Sequence, residues 1–193
     1  MNSSSCPAVP LSRRPAATTG SKVPGPSRIS TGMSLARYAS ERLWRRIGAD
    51  RDAYYWLTRA RPRTAIGAGS FNATARDVAR LGLLMANDGV VAGEQIVPRE
   101  WVRRSRGSDL PQLAVGALGP SGYDHYGYAN QWWTLGNSAF RAFTGVGVHG
   151  QYLFVDPTAG VVIVKCSAWP TQDDEHRDRE TITALRRVAD HFA

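Results

Sequence analysis

The spacing of apolar residues along the chain predicts four helices. The first covers 34–48, the second begins at a Thr74-x-x-Asp77 capping box and ends at Asp88-Gly89, and a short third follows Pro98 over 99–104. The last helix lies close to the C-terminus. The apolar positions assigned to the buried faces of the three longer helices are Leu35, Tyr38, Leu43 and Ile47, then Val78, Leu81 and Met85, then Ile182, Leu185, Val188, Ala189 and Phe192.

Beyond residue 124 the pattern changes from helical spacing to alternation, which predicts strands. The candidate strands are 126–135, 140–148, 151–155 and 161–168, with a hairpin turn between the last two. Because Val-Val-Ile-Val at 161–164 is apolar on both faces, we expect this strand to be central and covered on both sides. Helices, then antiparallel strands, then a closing helix together indicate an α+β fold.

The N-terminal residues 1–30 have a different composition from the rest of the chain. They are rich in Ser, Pro, Ala and Gly and contain no aromatic residue. Such a stretch buries too little apolar surface to offset the entropy of ordering, so we expect a disordered low-complexity tail followed by one domain over 31–193. The chain has no apolar run of the ~18 residues that a membrane helix needs and no apolar signal-peptide segment, which predicts a cytoplasmic protein without membrane contact.

The net charge of +8 raises the question of a nucleic-acid partner. It is carried by the tail, which holds four basic residues and no acid, and by 37–63, where eight arginines face three acidic residues. With 22 Arg against 2 Lys in the chain, we interpret this charge as the solvated surface of an arginine-rich protein. A nucleic-acid binder that uses residues 1–63 is the weaker hypothesis, since no recognised motif supports it.

Cysteine and lysine positions narrow the chemistry further. Cys6 and Cys166 cannot form a disulfide scaffold, and no Cys-x-x-Cys or Cys/His cluster indicates zinc, so we expect neither a metal nor another cofactor. A Ser-x-x-Lys hydrolase needs a lysine one helical turn after its serine. Three residues before the two lysines, Lys22 and Lys165, stand a threonine and a valine, so these 193 residues contain no Ser-x-x-Lys.

Five sequence blocks stand in order at 31–48, 69–82, 88–101, 126–133 and 147–165. In this order they resemble the serine β-lactamase-like hydrolases, and in particular the class C-type branch with carboxylesterases and 6-aminohexanoate-dimer hydrolases. The resemblance implies a β-lactamase/transpeptidase-like fold, with an antiparallel sheet flanked by helices, that acts on small-molecule esters or amides. In that family the N-terminal strands, the Ser-x-x-Lys helix and a catalytic Tyr-x-Asn or Tyr-x-Ser loop precede the first block.

The resemblance therefore implies that residues 31–193 are the C-terminal part of an incomplete hydrolase domain. We expect the chain to be inactive alone, because the nucleophile and the catalytic tyrosine are missing. A missing N-terminal half is then a possible partner, and the alternative function is a non-enzymatic interaction module or a complementing fragment of a split hydrolase. No catalytic residue is assigned.

The segment Phe-Thr-Gly-Val-Gly-Val-His-Gly-Gln at 143–151 is the part of the chain that the resemblance places in the cleft. In relatives a Lys-Thr-Gly or a variant on this strand lines the active site, and a backbone N–H just beyond it completes the oxyanion hole. This chain keeps Thr-Gly and lacks the lysine, which fits esterases and amidases better than penicillin-binding members. The candidate substrate-binding residues are Thr144, Gly145, Gly147, Val148, His149 and Gly150.

Other motifs have plainer interpretations. A lone histidine such as His149 could bond the substrate or transfer a proton, but a packing role is favoured. Tyr128-Ala-Asn130 lies far from the position of the family's catalytic tyrosine and is interpreted as packing, as are Trp132 and Trp133, although one of these could wall the pocket. Ser34 is interpreted as a helix cap. The loop at 67–70 fits a cleft border and ordinary helix-entry chemistry equally well.

Overall fold

The computed structural model describes residues 8–11, 31–59, 63–118, 124–136 and 142–193. The chain divides into two compact units, residues 1–77 and 78–193; the described residues form a three-stranded sheet in the first and a five-stranded and a two-stranded sheet in the second. The first unit contains β1 (Ala8–Leu11), α1 (Leu35–Ala39), β2 (Ala53–Trp56) and β3 (Phe71–Asn72), and α2 (Ala75–Ala86) crosses the boundary. The second contains β4 (Val90–Val91), β5 (Glu94–Gln95), α3 (Arg99–Arg104), β6 (Gly127–Ala129), β7 (Trp132–Thr134), β8 (Phe143–Gly147), β9 (Gln151–Asp156), β10 (Val161–Lys165) and α4 (Glu175–Asp190).

The first predicted helix begins where its cap was expected. Ser34 Oγ accepts a hydrogen bond from the Arg37 N–H at 3.2 Å, which satisfies one of the donors that a helix start leaves open. The helix continues as a π-helical turn (Ser40–Trp44). The buried face differs from the predicted one already before this turn and consists of Ala36, Ser40, Trp44 and Ile47, so of the four predicted positions only Ile47 is buried.

Part of the tail predicted to be disordered is a strand. β1 pairs antiparallel with β2, and Leu11 at its end is only 1% exposed. β2 is the central strand of this sheet. β3 pairs with one of its edges, and β1 pairs with the backbone donors and acceptors of the other. The prediction of disorder is thus wrong for these four residues, and the rest of 1–30 lies outside the described residues.

The Thr74-x-x-Asp77 capping box is confirmed and has a second use. The Asp77 N–H donates to Thr74 Oγ1 at 3.2 Å, and the Thr74 hydroxyl donates to Asp77 Oδ2 at 2.8 Å. The same fully buried carboxylate accepts the backbone N–H groups of Asp50, at 2.7 Å, and Arg51, at 3.1 Å. One side chain therefore caps α2 and fixes the loop that precedes β2.

The second unit is built on a five-stranded antiparallel sheet in the order β10-β9-β8-β7-β6. The predicted single strand at 126–135 is in fact the β6–β7 hairpin, because Asn130 and Gln131 take left-handed φ angles of +48° and +70°. Such a pair of φ angles closes a two-residue hairpin turn. The amide of Asn130 also donates to Ser105 Oγ at 3.1 Å, and this bond fixes the turn against the end of α3.

β10 is covered as predicted but is not central. Val161 and Ile163 pack on one face, in a cluster with α4, whereas Val162 and Val164 pack on the other with α2 and α3. α2 approaches this second face closely at Gly82, where a Cβ would lie 2.5 Å from Val162 Cγ1. Among the described strands, however, only β9 pairs with β10, so β10 is an edge strand.

α4 closes the other face of the sheet with Ile182, Leu185 and Ala189, as predicted. Val188 and Phe192, which were assigned to the same buried side, are 46% and 65% exposed. Val188 falls outside the apolar stripe of the helix, and Phe192 follows its last turn. The observed α+β arrangement, with helices on both faces of an antiparallel sheet, agrees with the predicted fold class. In the part of the chain that the structure describes, no helix is long and apolar enough to span a bilayer.

The first turn of α4 is held by a buried carboxylate, which the sequence pattern did not indicate. Asp178 accepts hydrogen bonds from the hydroxyl groups of Tyr126, at 2.8 Å, and Tyr152, and its Oδ2 lies 2.7 Å from His125 Nε2. Arg179, the next residue, pairs with Asp124 at the surface. These contacts tie the helix to β9 and to the segment that precedes β6.

The Asp124–Arg179 pair predicts a contribution to acid stability. The hydrogen bond from Arg179 is the main cause that lowers the pKa of the Asp124 carboxyl group. A folded-state pKa below the unfolded value stabilises the fold above the unfolded pKa, and this contribution is lost as the pH falls through the lowered value. We therefore expect Asp124→Asn to flatten the acid side of the stability profile, measured by urea unfolding between about pH 3 and pH 7. The exposed Asp109→Asn is the control, and equal slopes for the two variants would contradict the prediction.

Candidate functional site

The predicted cleft segment lies where β8 extends beyond β7. β9 pairs with all five residues of β8, whereas β7 pairs only with Phe143 and Thr144. The Leu135 N–H donates to Ala142 O at 2.9 Å, so the backbone groups of Ala142 face the β7 side of the strand. Because every second residue of an antiparallel strand faces the same side, the backbone groups of Val146 also point there, beyond the last residue that β7 pairs. Val148, the next residue along the chain after Gly147, lies in the turn between β8 and β9. β8 therefore presents backbone donors on an edge that no described strand covers.

Thr144, the first candidate residue, contributes its side chain to the interior. It is fully buried, and its hydroxyl donates to the Gly145 carbonyl at 3.1 Å. Its backbone pairs with Trp133 on one side and with Phe154 on the other. The Thr144 side chain is therefore closed to a ligand, and the open edge begins after it.

The three candidate glycines differ in how strictly the surrounding structure requires glycine. At Gly150, φ is +82°, and a Cβ would lie 2.3 Å from the Trp169 ring, so the fold itself requires glycine. A Cβ on Gly147 would lie 3.1 Å from Gln151 Cβ, a tight contact that needs a small shift. A Cβ on Gly145 would make only ordinary contacts, at 3.8 Å with Leu153 and 3.9 Å with Trp132. Gly145 is thus the glycine that packing does not explain, and close approach of a ligand to a strand is one known reason for glycine there.

His149 is engaged in the turn between β8 and β9. Its Nδ1 lies 2.8 Å from the Trp169 carbonyl oxygen, its N–H donates to Gln172 O at 2.9 Å, and its own carbonyl accepts the Trp169 N–H at 3.2 Å. The residue is half-buried and has a left-handed φ of +60°. Val148 beside it exposes 53% of its surface. These contacts agree with the packing interpretation of His149 and use one nitrogen of its ring.

Lys165 contacts a serine but does not have the surroundings of a catalytic base. Its Nζ bonds Ser167 Oγ, lies 3.4 Å from the Gly150 carbonyl oxygen, and stands 5.4 Å and 4.9 Å from the ring centres of Tyr152 and Trp169. A carbonyl oxygen and two aromatic faces are the partners of an ammonium cation. The contact between Lys165 and Ser167 is therefore structural, and the sequence did not predict it.

The two tryptophans of β7 lie on opposite faces of the sheet. Trp133 packs against Tyr128, with ring centres 5.0 Å apart, and Trp132 packs edge-to-face on Phe143, also at 5.0 Å. The Tyr128 hydroxyl donates to Gln131 Oε1 at 3.0 Å, within the β6–β7 hairpin. Of the pair, Trp132 is the one beside Gly145 and thus beside the open edge.

A cavity of about 460 Å³ lies at the other end of β7, between α3 and the loop at 107–115. Arginines of α3 line it, and one of them, Arg103, forms an internal ion pair with Asp88 at 3.0 Å. Thr134 and Gly136 also line this cavity, whereas Gly145 and the turn at 148–150 do not. Within the described residues no three His, Cys, Asp or Glu side chains are grouped as metal ligands.

The loop at 67–70 belongs to the first unit. Its Ser70 is buried, and the hydroxyl donates to the Ile66 carbonyl, so the loop is closed on itself. Gly69 supplies the positive φ, +71°, that the loop needs. These bonds account for the sequence without a ligand, and the suggestion that the loop borders a cleft stays a prediction.

Comparison with known proteins gives three consistent similarities. The family model for "Beta-lactamase" matches residues 23–187. A 6-aminohexanoate-dimer hydrolase of Paenarthrobacter ureafaciens is 34% identical over 146 residues, which are 76% of this chain and 36% of that protein. A solved structure named as a 6-aminohexanoate-dimer hydrolase from Bacillus anthracis superposes with a TM-score of 0.68 at 34% identity, over 83% of this chain and 39% of that one. The chain thus spans little more than a third of the length of these relatives.

Proposed function

Since the chain belongs to the β-lactamase family, we propose that it carries one wall of the substrate cleft of a serine hydrolase that acts on esters or amides. The names of its relatives favour hydrolysis of amides of the 6-aminohexanoate-dimer type. The observation that carries the proposal is the open edge of β8, with Gly145 beside it, the backbone groups of Val146 directed outward and Val148 exposed in the turn that follows.

This edge suits the chemistry of acyl transfer. In the family that the chain resembles, a serine attacks the carbonyl carbon, a lysine and a tyrosine move protons, and water releases the acyl group. Negative charge then develops on the carbonyl oxygen, and fixed backbone N–H donors stabilise it. Val146 and Val148 offer such donors, and Gly145 leaves room for the substrate to approach the strand. We assign these residues one wall and half of an oxyanion hole.

The same sequence predicts that these 193 residues do not hydrolyse substrate by themselves. They contain no Ser-x-x-Lys, and loss of a nucleophile costs on the order of 10⁶ in turnover, far more than the ~10²–10³ for one oxyanion donor. The chain alone should neither react with a fluorophosphonate probe nor cleave an activated ester above background. Labelling of the isolated chain would overturn the proposal.

A chimera provides the positive test. Residues 31–193 would replace the matching region of the Paenarthrobacter hydrolase, whose remaining chain is kept intact. We expect this chimera to react with the fluorophosphonate and to cleave a p-nitrophenyl ester, and a variant with its nucleophilic serine changed to alanine to do neither. A chimera that folds but stays inert would count against the cleft assignment. Activity restored when the two parts are produced as separate chains would favour the split-hydrolase alternative.

Gly145→Ala tests the cleft wall within that chimera. Because its Cβ meets only ordinary contacts, we expect the free energy of unfolding to change by less than about 1 kcal/mol. Turnover should fall about 10²-fold, since displacement of a substrate by about 1 Å has an effect of that size. The matched control is Gly107→Ala, where a Cβ meets no atom within 4 Å. Equal turnover in the two variants would show that substrate does not approach Gly145.

A further inference from the structure

His149 holds a backbone conformation that few residues other than glycine adopt. Its φ is +60°, in the left-handed region where a side chain crowds the backbone, and Asn, Asp and His are the non-glycine residues found there most often. Such a conformation persists only where surrounding contacts fix it, and in proteins it concentrates at functional sites. Here the residue directly follows Val148, the turn residue whose N–H we assign to the oxyanion hole.

The contacts that fix His149 come from the segment 165–172, which begins at the last residue of β10. Two backbone hydrogen bonds, His149 N–H to Gln172 O and Trp169 N–H to His149 O, join the turn to this segment. The Trp169 ring fills the space over Gly150, and the Lys165 ammonium lies 3.4 Å from the Gly150 carbonyl oxygen. The Gln151 amide bonds the Ser167 carbonyl. We call residues 165–172 the clasp.

The His149 side chain completes the clasp in one defined protonation pattern. Its Nδ1 lies 2.8 Å from the Trp169 carbonyl oxygen, and a carbonyl oxygen only accepts. Nδ1 therefore carries a hydrogen and donates, whether or not the other ring nitrogen is protonated. Nδ1 cannot take a proton from a substrate while it donates to the Trp169 carbonyl oxygen.

We propose that His149 is a positioning residue, whose Nδ1–H bond to Trp169 holds the turn so that the Val148 N–H points into the cleft. The proposal rests on the proposed function for the meaning of the cleft, but its geometry does not depend on catalysis. It replaces the two earlier options for this side chain, substrate binding and proton transfer, with an indirect role in the oxyanion hole. The clasp thereby contributes to the site indirectly, because it fixes the turn although none of its residues belongs to β8.

A pair of nearly isosteric substitutions tests the bond. In His149→Asn the side-chain amide places a donor where Nδ1 was, and asparagine tolerates positive φ. In His149→Asp the shape and φ tolerance are the same, but the ionised carboxylate only accepts. The orientation of the Val148 N–H bond is measured directly by its residual dipolar coupling in the isolated full chain. The exposed His176→Asn on α4, with a side chain 82% exposed, is the matched control.

We expect the Asn variant and the control to keep the wild-type Val148 coupling and the Asp variant to change it, with couplings in β9 and β10 constant in all. Hydrogen exchange at the Trp169 N–H should accelerate about tenfold in the Asp variant only, the equivalent of one lost hydrogen bond. If His149→Asp fails to fold, His149→Gly takes its place, because glycine adopts the same φ and lacks the donor.

An unchanged Val148 coupling in the variant without the donor would overturn the proposal, and so would an equal change in His149→Asn. Neither result depends on turnover. An inert chimera would contradict the proposed function but not the positioning role of His149. A Val148 N–H orientation that does not change with the residue at 149 would contradict the positioning role but not the proposed function.

Discussion

Replacing Asp178 with alanine is expected to lower the free energy of unfolding by about 3–5 kcal/mol. The carboxylate accepts the hydroxyl hydrogens of Tyr126 and Tyr152 and lies 2.7 Å from His125 Nε2, on the buried side of α4. Its removal leaves buried polar groups without their acceptor and opens a small void at the helix start, and both effects are destabilising.

Urea unfolding, followed by far-ultraviolet circular dichroism, measures this loss. The control is Asp190→Ala, which removes an exposed carboxylate from the last turn of the same helix and should change the stability by less than about 0.5 kcal/mol. A loss below about 1 kcal/mol for Asp178→Ala would show that the contacts of α4 with the sheet do not depend on this group. Asp178→Asn should fall between, because its amide oxygen still accepts one hydroxyl.

Gly150→Ala is the second substitution with a large expected effect, a loss of about 2–5 kcal/mol. Two physical causes add: left-handed φ costs a non-glycine residue about 1–2 kcal/mol, and overpacking against the Trp169 ring costs about 1–3 kcal/mol more. The shift of the ring would also move the indole N–H resonance of Trp169 in an NMR spectrum, which gives the variant a local signature besides its stability.

The chain provides a control that separates these two causes. Gly160 lies in the next hairpin turn and has a φ of +67°, and a Cβ added there would meet no atom within 4 Å. Gly160→Ala should therefore show the backbone cost alone, about 1–2 kcal/mol. If the two alanine variants lose the same stability in parallel urea titrations, the packing of Trp169 on Gly150 contributes nothing measurable.

Local chemistry made the helix starts and the turn between β9 and β10 predictable. Ser34 and the Thr74–Asp77 pair are caps because their oxygens reach backbone donors two or three residues away, and such contacts are visible in the order of residues. The turn at Asn130-Gln131 was missed for the opposite reason. Glutamine at positive φ has no local signal, and the turn depends on the bond from Asn130 to Ser105, 25 residues away.

The candidate site was predictable as a segment but not in its parts. The glycine spacing at 143–151 indicated a strand that a ligand could approach, and the structure places its second half on an open edge. Val146 was omitted because its contribution is a backbone N–H, to which its side chain gives no clue. Trp169 was missed because its contact with Gly150 joins segments that no periodicity connects.

β10 has a practical consequence for anyone who produces this protein. Its residues run Val-Val-Ile-Val before the first charge, and only one of its edges is paired among the described strands. The usual safeguard of such a strand is a charged side chain near the edge, and here the ammonium of Lys165 is drawn over Tyr152 and Trp169 instead. The free edge can therefore pair with a strand of another polypeptide chain. We expect solubility to fall as the concentration of the chain rises during synthesis, with inclusion bodies as the result.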